Sequence, residues 1–225
     1  DDMASLMGRI RIGARYALTR SGPLSQGPGY AALFFSTGKR AALPDMQVHL
    51  ILFSRASPTR LHPFSGFSTS IYQLQPGSAG SIEILGSDPS AAPKVQFNYL
   101  SAEFDRQSMV LGLRRLCEVM RQPALGPYLE SPIVFDLARD SEADLLDYAR
   151  QCGSSAQHAA CTCRMGTDDK AVVDARLRVR GVGRLRVIDA SVMPEIVSGN
   201  TNAAVIMMAE KGADLVLEDA LRSAP

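Results

Sequence analysis

Residues 185–194 read LRVIDASVMP and residues 198–216 read SGNTNAAVIMMAEKGADLV, and the passage from one to the other decides the fold. The first is a short hydrophobic strand pattern that closes on Asp189, Ala190 and Ser191. The second opens on Gly199-Asn200-Thr201-Asn202 and runs into a helix expected from near Thr201 to about Leu221, apolar nearly all round in its first half. A helix with no polar face is predicted to pack inside something larger. In open α/β sheets, ligands gather at the carboxyl ends of strands. Asp189 therefore reads either as the cap of a turn or as an acceptor for sugar or polyol hydroxyls. Asn200, Thr201 and Asn202 are ordinary N-cap residues, yet a helix N-terminus also offers amides and partial positive charge to an electron-rich ligand.

Working back from this unit, Leu177–Arg180 and Arg184–Ile188 read as short strands around Gly181–Gly183. Further upstream, the loop RSGPLSQGP (residues 20–28) leads into the apolar run Tyr30–Phe35. Met46, Val48, Leu50 and Leu52 alternate with Gln47, His49, Ile51 and Phe53, a period of two. Phe67–Leu74, Ser81–Leu85 and Lys94–Tyr99 are three more strand candidates, and together these predict a mainly antiparallel sheet. The period then becomes helical at Met109, Leu113, Leu116 and Met120, with Ser101 as the expected N-cap. A shorter helix is predicted over Ser141–Gln151, where Ser141 and Asp144 have capping-box spacing.

Composition narrows the function classes. The 225 residues are 46% hydrophobic and 21% charged, ordinary globular usage that argues against disorder. A net charge of +1, 6% aromatics and no Trp make a dedicated nucleic-acid surface an unsuitable reading. The longest apolar run, Ala203–Ala209, is far shorter than the roughly 20 residues that cross a bilayer, so no transmembrane segment is expected. Four cysteines and the lack of a signal-peptide pattern point to a reducing compartment, with the cytoplasm as the expectation. The opening Asp1-Asp2-Met3 suggests a processed product or a fragment.

The segment QHAACTCRMG (residues 157–166) follows neither a strand nor a helix period. His158 within it reads either as a hydrogen-bonded structural residue or as a functional one. Cys152, His158, Cys161 and Cys163 are all potential metal ligands, but C-x-C without a distant second pair is poorly suited to a tetrahedral site, and no metal is expected.

Taken in order, HAACTCRMG from His158, VVDARLRVRGVGRLRVIDASVMP from Val172 and SGNTNAAVIMMAEKGADLV from Ser198 resemble the C-terminal signature of the glucose-methanol-choline (GMC) family of flavin-dependent oxidoreductases. Upstream, Gln75–Gly80, Ser87-Asp88-Pro89, Asn98-Tyr99-Leu100 and Gly112-x-Arg114 are similar to its substrate-domain segment. The Gly-Asn-Thr-Asn form is shared with its choline dehydrogenases and its bacterial alcohol or hydroxymethylfurfural oxidases.

This resemblance implies an α/β protein: an α+β substrate-binding domain over residues 1–155, with an antiparallel sheet flanked by helices. Residues 156–225 would hold the catalytic His/Asn segment and the last elements of a Rossmann-like FAD-binding domain. The family's G-x-G-x-x-G fingerprint is absent from this sequence, so the resemblance implies an N-terminal FAD-binding portion or a second polypeptide as partner.

By motif, His158 takes the position of the catalytic base and Asn200 that of the second catalytic residue. Asp189 and Ala190 would lie beside the ribityl-phosphate of FAD, Thr201 and Asn202 beside the flavin pyrimidine, and Gln157 would face substrate. The implied reaction is oxidation of a primary alcohol to an aldehyde, with His158 taking the hydroxyl proton and hydride passing to flavin N5. Alternatives are a hydroxynitrile-lyase-type enzyme that keeps FAD without redox use, or an inactive fragment or interaction module. Ala159 and Cys161 stand where many members have Pro and Gly, which removes a stiffening residue and one tolerant of unusual dihedrals. Cys161 itself reads either as a small buried residue or as an oxidisable thiol near the flavin.

Overall fold

The computed structural model describes residues 5–27, 29–39, 43–57, 60–130 and 141–222. In chain order its elements are α1 (Leu6–Thr19), β1 (Gly29–Phe35), β2 (Met46–Ile51), β3 (Arg55–Ser57), β4 (Arg60–Leu61), β5 (Ser68–Gln73), β6 (Ser81–Glu83), β7 (Lys94–Gln96), α2 (Glu103–Met120), α3 (Glu142–Cys152) and α4 (Asn202–Arg222). The chain divides into two compact units, one of residues 1–72 and 111–131, the other of residues 73–110 and 132–225.

In the first unit, β1 and β2 pair antiparallel from Phe35↔Met46 to Gly29↔Ile51, and the sheet order is β1-β2-β5. The connection between β1 and β2 is held by buried Asp45, which accepts from the Thr37 amide at 2.7 Å and the Thr37 hydroxyl at 2.5 Å. Met46, Gln47 and Val48 are buried in succession, so both faces of β2 are covered at that end. Gly112 lets α2 approach the sheet, because a Cβ there would lie 2.6 Å from Met46 Cε and 3.1 Å from Ile71 Cδ1.

In the second unit, β6 and β7 form an exposed antiparallel hairpin. Gly80 precedes it where a Cβ would meet the Gln96 carbonyl oxygen at 2.2 Å, so only glycine fits that crossing. The first turn of α2 presents Asp105, 1% exposed, to the Gly77 and Ser78 amides at 2.7 Å each. The expected Ser101 cap does not form. Helix α2 begins at Glu103, the Ala102 amide donates to Ser78 Oγ, and the Ser101 carbonyl accepts from the Arg106 guanidinium. The first intrahelical bond runs from the Arg106 amide to the Ala102 carbonyl, which puts the cap position at Ala102. The Ser141/Asp144 capping box does form at α3.

The sequence pattern anticipates one mainly antiparallel sheet, and the described residues form three small ones: the three-stranded sheet, β3-β4 and β6-β7. The expected strands Leu177–Arg180 and Arg184–Ile188 are reduced to isolated bridges, Val173↔Val179 and Arg178↔Arg186. Leu177 and Arg184 carry φ of 63° and 61°, and a left-handed residue interrupts extended pairing. The run 185–194 is likewise a bridge followed by a short helical turn at Ala190–Val192.

Helix α4 packs on this irregular layer. Val173, Leu177, Val192, Met193, Met208 and Leu215 form its core. Only the stripe through Met208, Gly212 and Leu215 is buried, whereas Met207 is 60% and Leu217 63% exposed. The all-round burial expected for α4 is thus supplied on one face by this chain, and the remaining apolar face is open. Its C-terminal end is tied down by Arg176 to Glu218 and Asp219, and by Arg186 to Asp219. Among the described residues no helix is long and apolar enough to cross a membrane.

Candidate active site

Three backbone bonds place the segment after α3. The amides of Cys161, Cys163 and Met165 donate to the carbonyls of Ala190, Ser191 and Val192 at 3.3, 2.9 and 2.9 Å. The 161–165 stretch is thereby laid against the short turn that precedes α4. Gln157 and Cys161, either side of His158-Ala159-Ala160, have φ of 61° and 74°. Such left-handed backbone is strained for residues bearing a Cβ and is tolerated where the surroundings over-determine it.

The result is a contact among residues 42 and 43 positions apart. Asn200 Nδ2 lies 2.9 Å from His158 Nε2, and Thr201 Oγ1 lies 3.0 Å from His158 Nδ1. His158 is half-buried, Thr201 buried at 7% exposure and Asn200 exposed. Burial pushes the Cys161 thiol up from its ordinary value, and the carboxylate of Glu195 acts in the same direction. Cys161 is therefore a neutral thiol at neutral pH, the less reactive of its two expected states.

The other expected site residues divide. Ala190 sits against the core and its carbonyl accepts from the Cys161 amide. Asp189 is exposed, with Oδ1 accepting from the Ser191 amide at 2.8 Å and from its hydroxyl. Asn202 is exposed at the first position of α4, and Gln157 is exposed beside His158. Among the described expected site residues, hydrogen bonding brings Asn200 and Thr201 onto His158. The Thr201–His158 contact escaped the sequence pattern, whose only signal was the adjacency of Thr201 to Asn200.

Two polar clusters in the first unit were also hidden by the period-two pattern. His49 Nε2 lies 2.7 Å from Gln47 Nε2 and 3.1 Å from the Tyr72 hydroxyl. Ser54 Oγ lies 2.7 Å from His62 Nδ1, and the His62 ring stacks on Phe64 at 4.7 Å. Among the described residues no three His, Cys, Asp or Glu side chains gather to hold a metal.

Both nitrogens of the His158 imidazole thus meet side chains at the N-terminal end of α4. The chain belongs to the GMC oxidoreductases: their C-terminal family model matches residues 76–209, more than half of it. The oxygen-dependent choline dehydrogenase of Ectopseudomonas mendocina is 38% identical over 215 residues, 94% of this chain and 38% of the relative. Among solved structures, a formate oxidase superposes with a TM-score of 0.84 at 23% identity, over 94% of this chain and 42% of the other. A pyridoxine 4-oxidase from Mesorbium loti gives 0.67 at 26% identity, over 81% and 36%. These likenesses agree with an α/β fold, and the cofactor that the family brings is FAD. The chain spans about 38% of the length of the curated relatives it matches.

Proposed function

We propose that this chain supplies the proton-handling half of an FAD-dependent oxidation of a primary alcohol to an aldehyde. The observation that carries the reading is the Asn200 Nδ2 to His158 Nε2 contact at 2.9 Å. An alcohol oxygen that displaces this contact would accept from the Asn200 amide while its proton passes to Nε2. Asn200 then orients the substrate and His158 acts as general base.

The residues at this end of α4 suit a flavin. A helix leaves its first-turn amides without intrahelical partners and carries partial positive charge there. At α4 those positions begin with Asn202 and Ala203, both exposed. Thr201, Asn202, Asp189 and Ala190 would hold the cofactor, and Gln157 would line the substrate side. FAD, when bound, accepts the two electrons removed from the alcohol carbon. In this reading residues 1–155 are the substrate-binding part and residues 156–225 the catalytic segment with the last flavin contacts. An FAD-binding portion covers the open apolar face of α4, and the exposed Met207 and Leu217 support that partner.

The test is anaerobic reduction of the FAD-loaded protein by a panel of primary alcohols. Bleaching by an alcohol, lost in His158→Ala with flavin still bound, is the expected result. A flavin that no alcohol bleaches points to the lyase reading, and full turnover by His158→Ala refutes the base assignment.

A further inference from the structure

We infer that Thr201 is a positioning residue that fixes the tautomer of His158. The inference rests on the reading of His158 as the base, and it assigns Thr201 a role toward the imidazole. Thr201 immediately precedes α4, where a threonine hydroxyl ordinarily accepts from an amide of the first turn. Here the Thr201 carbonyl accepts from the Val205 amide at 2.9 Å, while the hydroxyl turns to another partner. That hydroxyl instead meets His158 Nδ1 at 3.0 Å, in a side chain only 7% exposed.

The hydrogen-bond inventory then determines the proton. The Asn200 amide nitrogen only donates, so Nε2, 2.9 Å away, must accept and carries no hydrogen. A neutral imidazole has its one hydrogen on the other nitrogen, so Nδ1–H donates and Thr201 Oγ1 accepts. This arrangement satisfies all three groups at once. The opposite tautomer would set an Nε2–H against the Asn200 amide hydrogens and could not take a proton from substrate. When Nε2 is protonated, Nδ1–H keeps its acceptor, so the ring does not have to turn during the reaction. Thr201 thus acts through His158, as the second group of many His-based catalytic sites does.

The test is nitrogen-15 NMR of histidine-labelled, FAD-loaded protein, which reads the tautomer without turnover, combined with kinetics of two variants. The expected spectrum has His158 protonated at Nδ1 and bare at Nε2. Thr201→Val, which keeps the shape and removes the acceptor, is expected to mix the tautomers and lower kcat about tenfold, with KM little changed. Thr201→Ser is expected to restore both. A wild-type spectrum with the hydrogen on Nε2 overturns the inference, and so does a Thr201→Val protein with unchanged tautomer and kcat. Should Thr201→Val fail to load flavin, the wild-type spectrum and Thr201→Ser still decide. Turnover by His158→Ala would instead sink the base reading while leaving the tautomer result standing.

Discussion

The seat of α4 on Ile188 yields a prediction whose sign separates tertiary contact from local propensity. In an open helix, Gly→Ala stabilises by about 1 kcal/mol. A Cβ on Gly212 would lie 2.5 Å from Ile188 Cγ2, 3.0 Å from Cδ1 and 3.4 Å from Cγ1. Ile188 is β-branched and has few rotamers with which to retreat. Overpacking of this kind costs roughly 1–3 kcal/mol. Subtracting the propensity gain leaves Gly212→Ala destabilising by about 1 kcal/mol, a fall in Tm of roughly 2–4 °C for a chain of this size. Ile188→Ala deletes all three facing carbons, so adding Gly212→Ala to that background is expected to stabilise by about 1 kcal/mol. The assay is thermal unfolding of the four proteins of the cycle, flavin loaded. A Gly212→Ala protein that melts higher than wild type, or a coupling near zero, would refute the close approach of α4 to Ile188.

Asp105→Ala removes the buried acceptor of the Gly77 and Ser78 amides and is expected to cost about 2 kcal/mol by chemical denaturation, with Asp105→Asn costing less because one acceptor remains. The Arg176–Asp219 and Arg186–Asp219 pairs are partly exposed, so Asp219→Asn is expected to lower stability only slightly, an effect that shrinks further in salt. The hydrogen bonds from Arg164 hold the Asp168 carboxyl below the usual carboxylate range. Its contribution is complete above the unfolded value of about 3.9 and is lost as pH falls through the depressed folded value. Asp168→Asn should therefore lower stability in the neutral region, where the contribution is complete, and flatten the acid limb of a stability–pH curve, the two proteins converging at low pH. Cys152 is exposed while burial keeps Cys161 a thiol, so iodoacetamide at neutral pH should label Cys152 first; a faster Cys161, read by peptide mass spectrometry, would contradict its placement.

Local signals made much of the secondary structure legible. The capping box at Ser141 and the helical period through Leu113 and Leu116 mark α3 and α2 because capping and amphipathic spacing act within one or two turns. The alternation from Met46 likewise marks β2. The Leu177 and Arg184 runs failed as strands because β pairing depends on dihedrals that neighbours in space impose, and both residues are held left-handed. Ser101 failed as a cap because the helix begins one residue later, with the Arg106 amide donating to the Ala102 carbonyl.

The sequence by itself determined the family, the order of His158, Asp189 and Asn200, and the presence of an apolar helix at the end of the chain, since motif order and composition need no partner. Tertiary structure alone decided that Asn200 and Thr201 hold the two nitrogens of one imidazole, and which stripe of α4 this chain covers. Contacts across more than forty residues depend on the path of the intervening chain, here the ladder from Cys161–Met165 to Ala190–Val192, and no local spacing encodes that path.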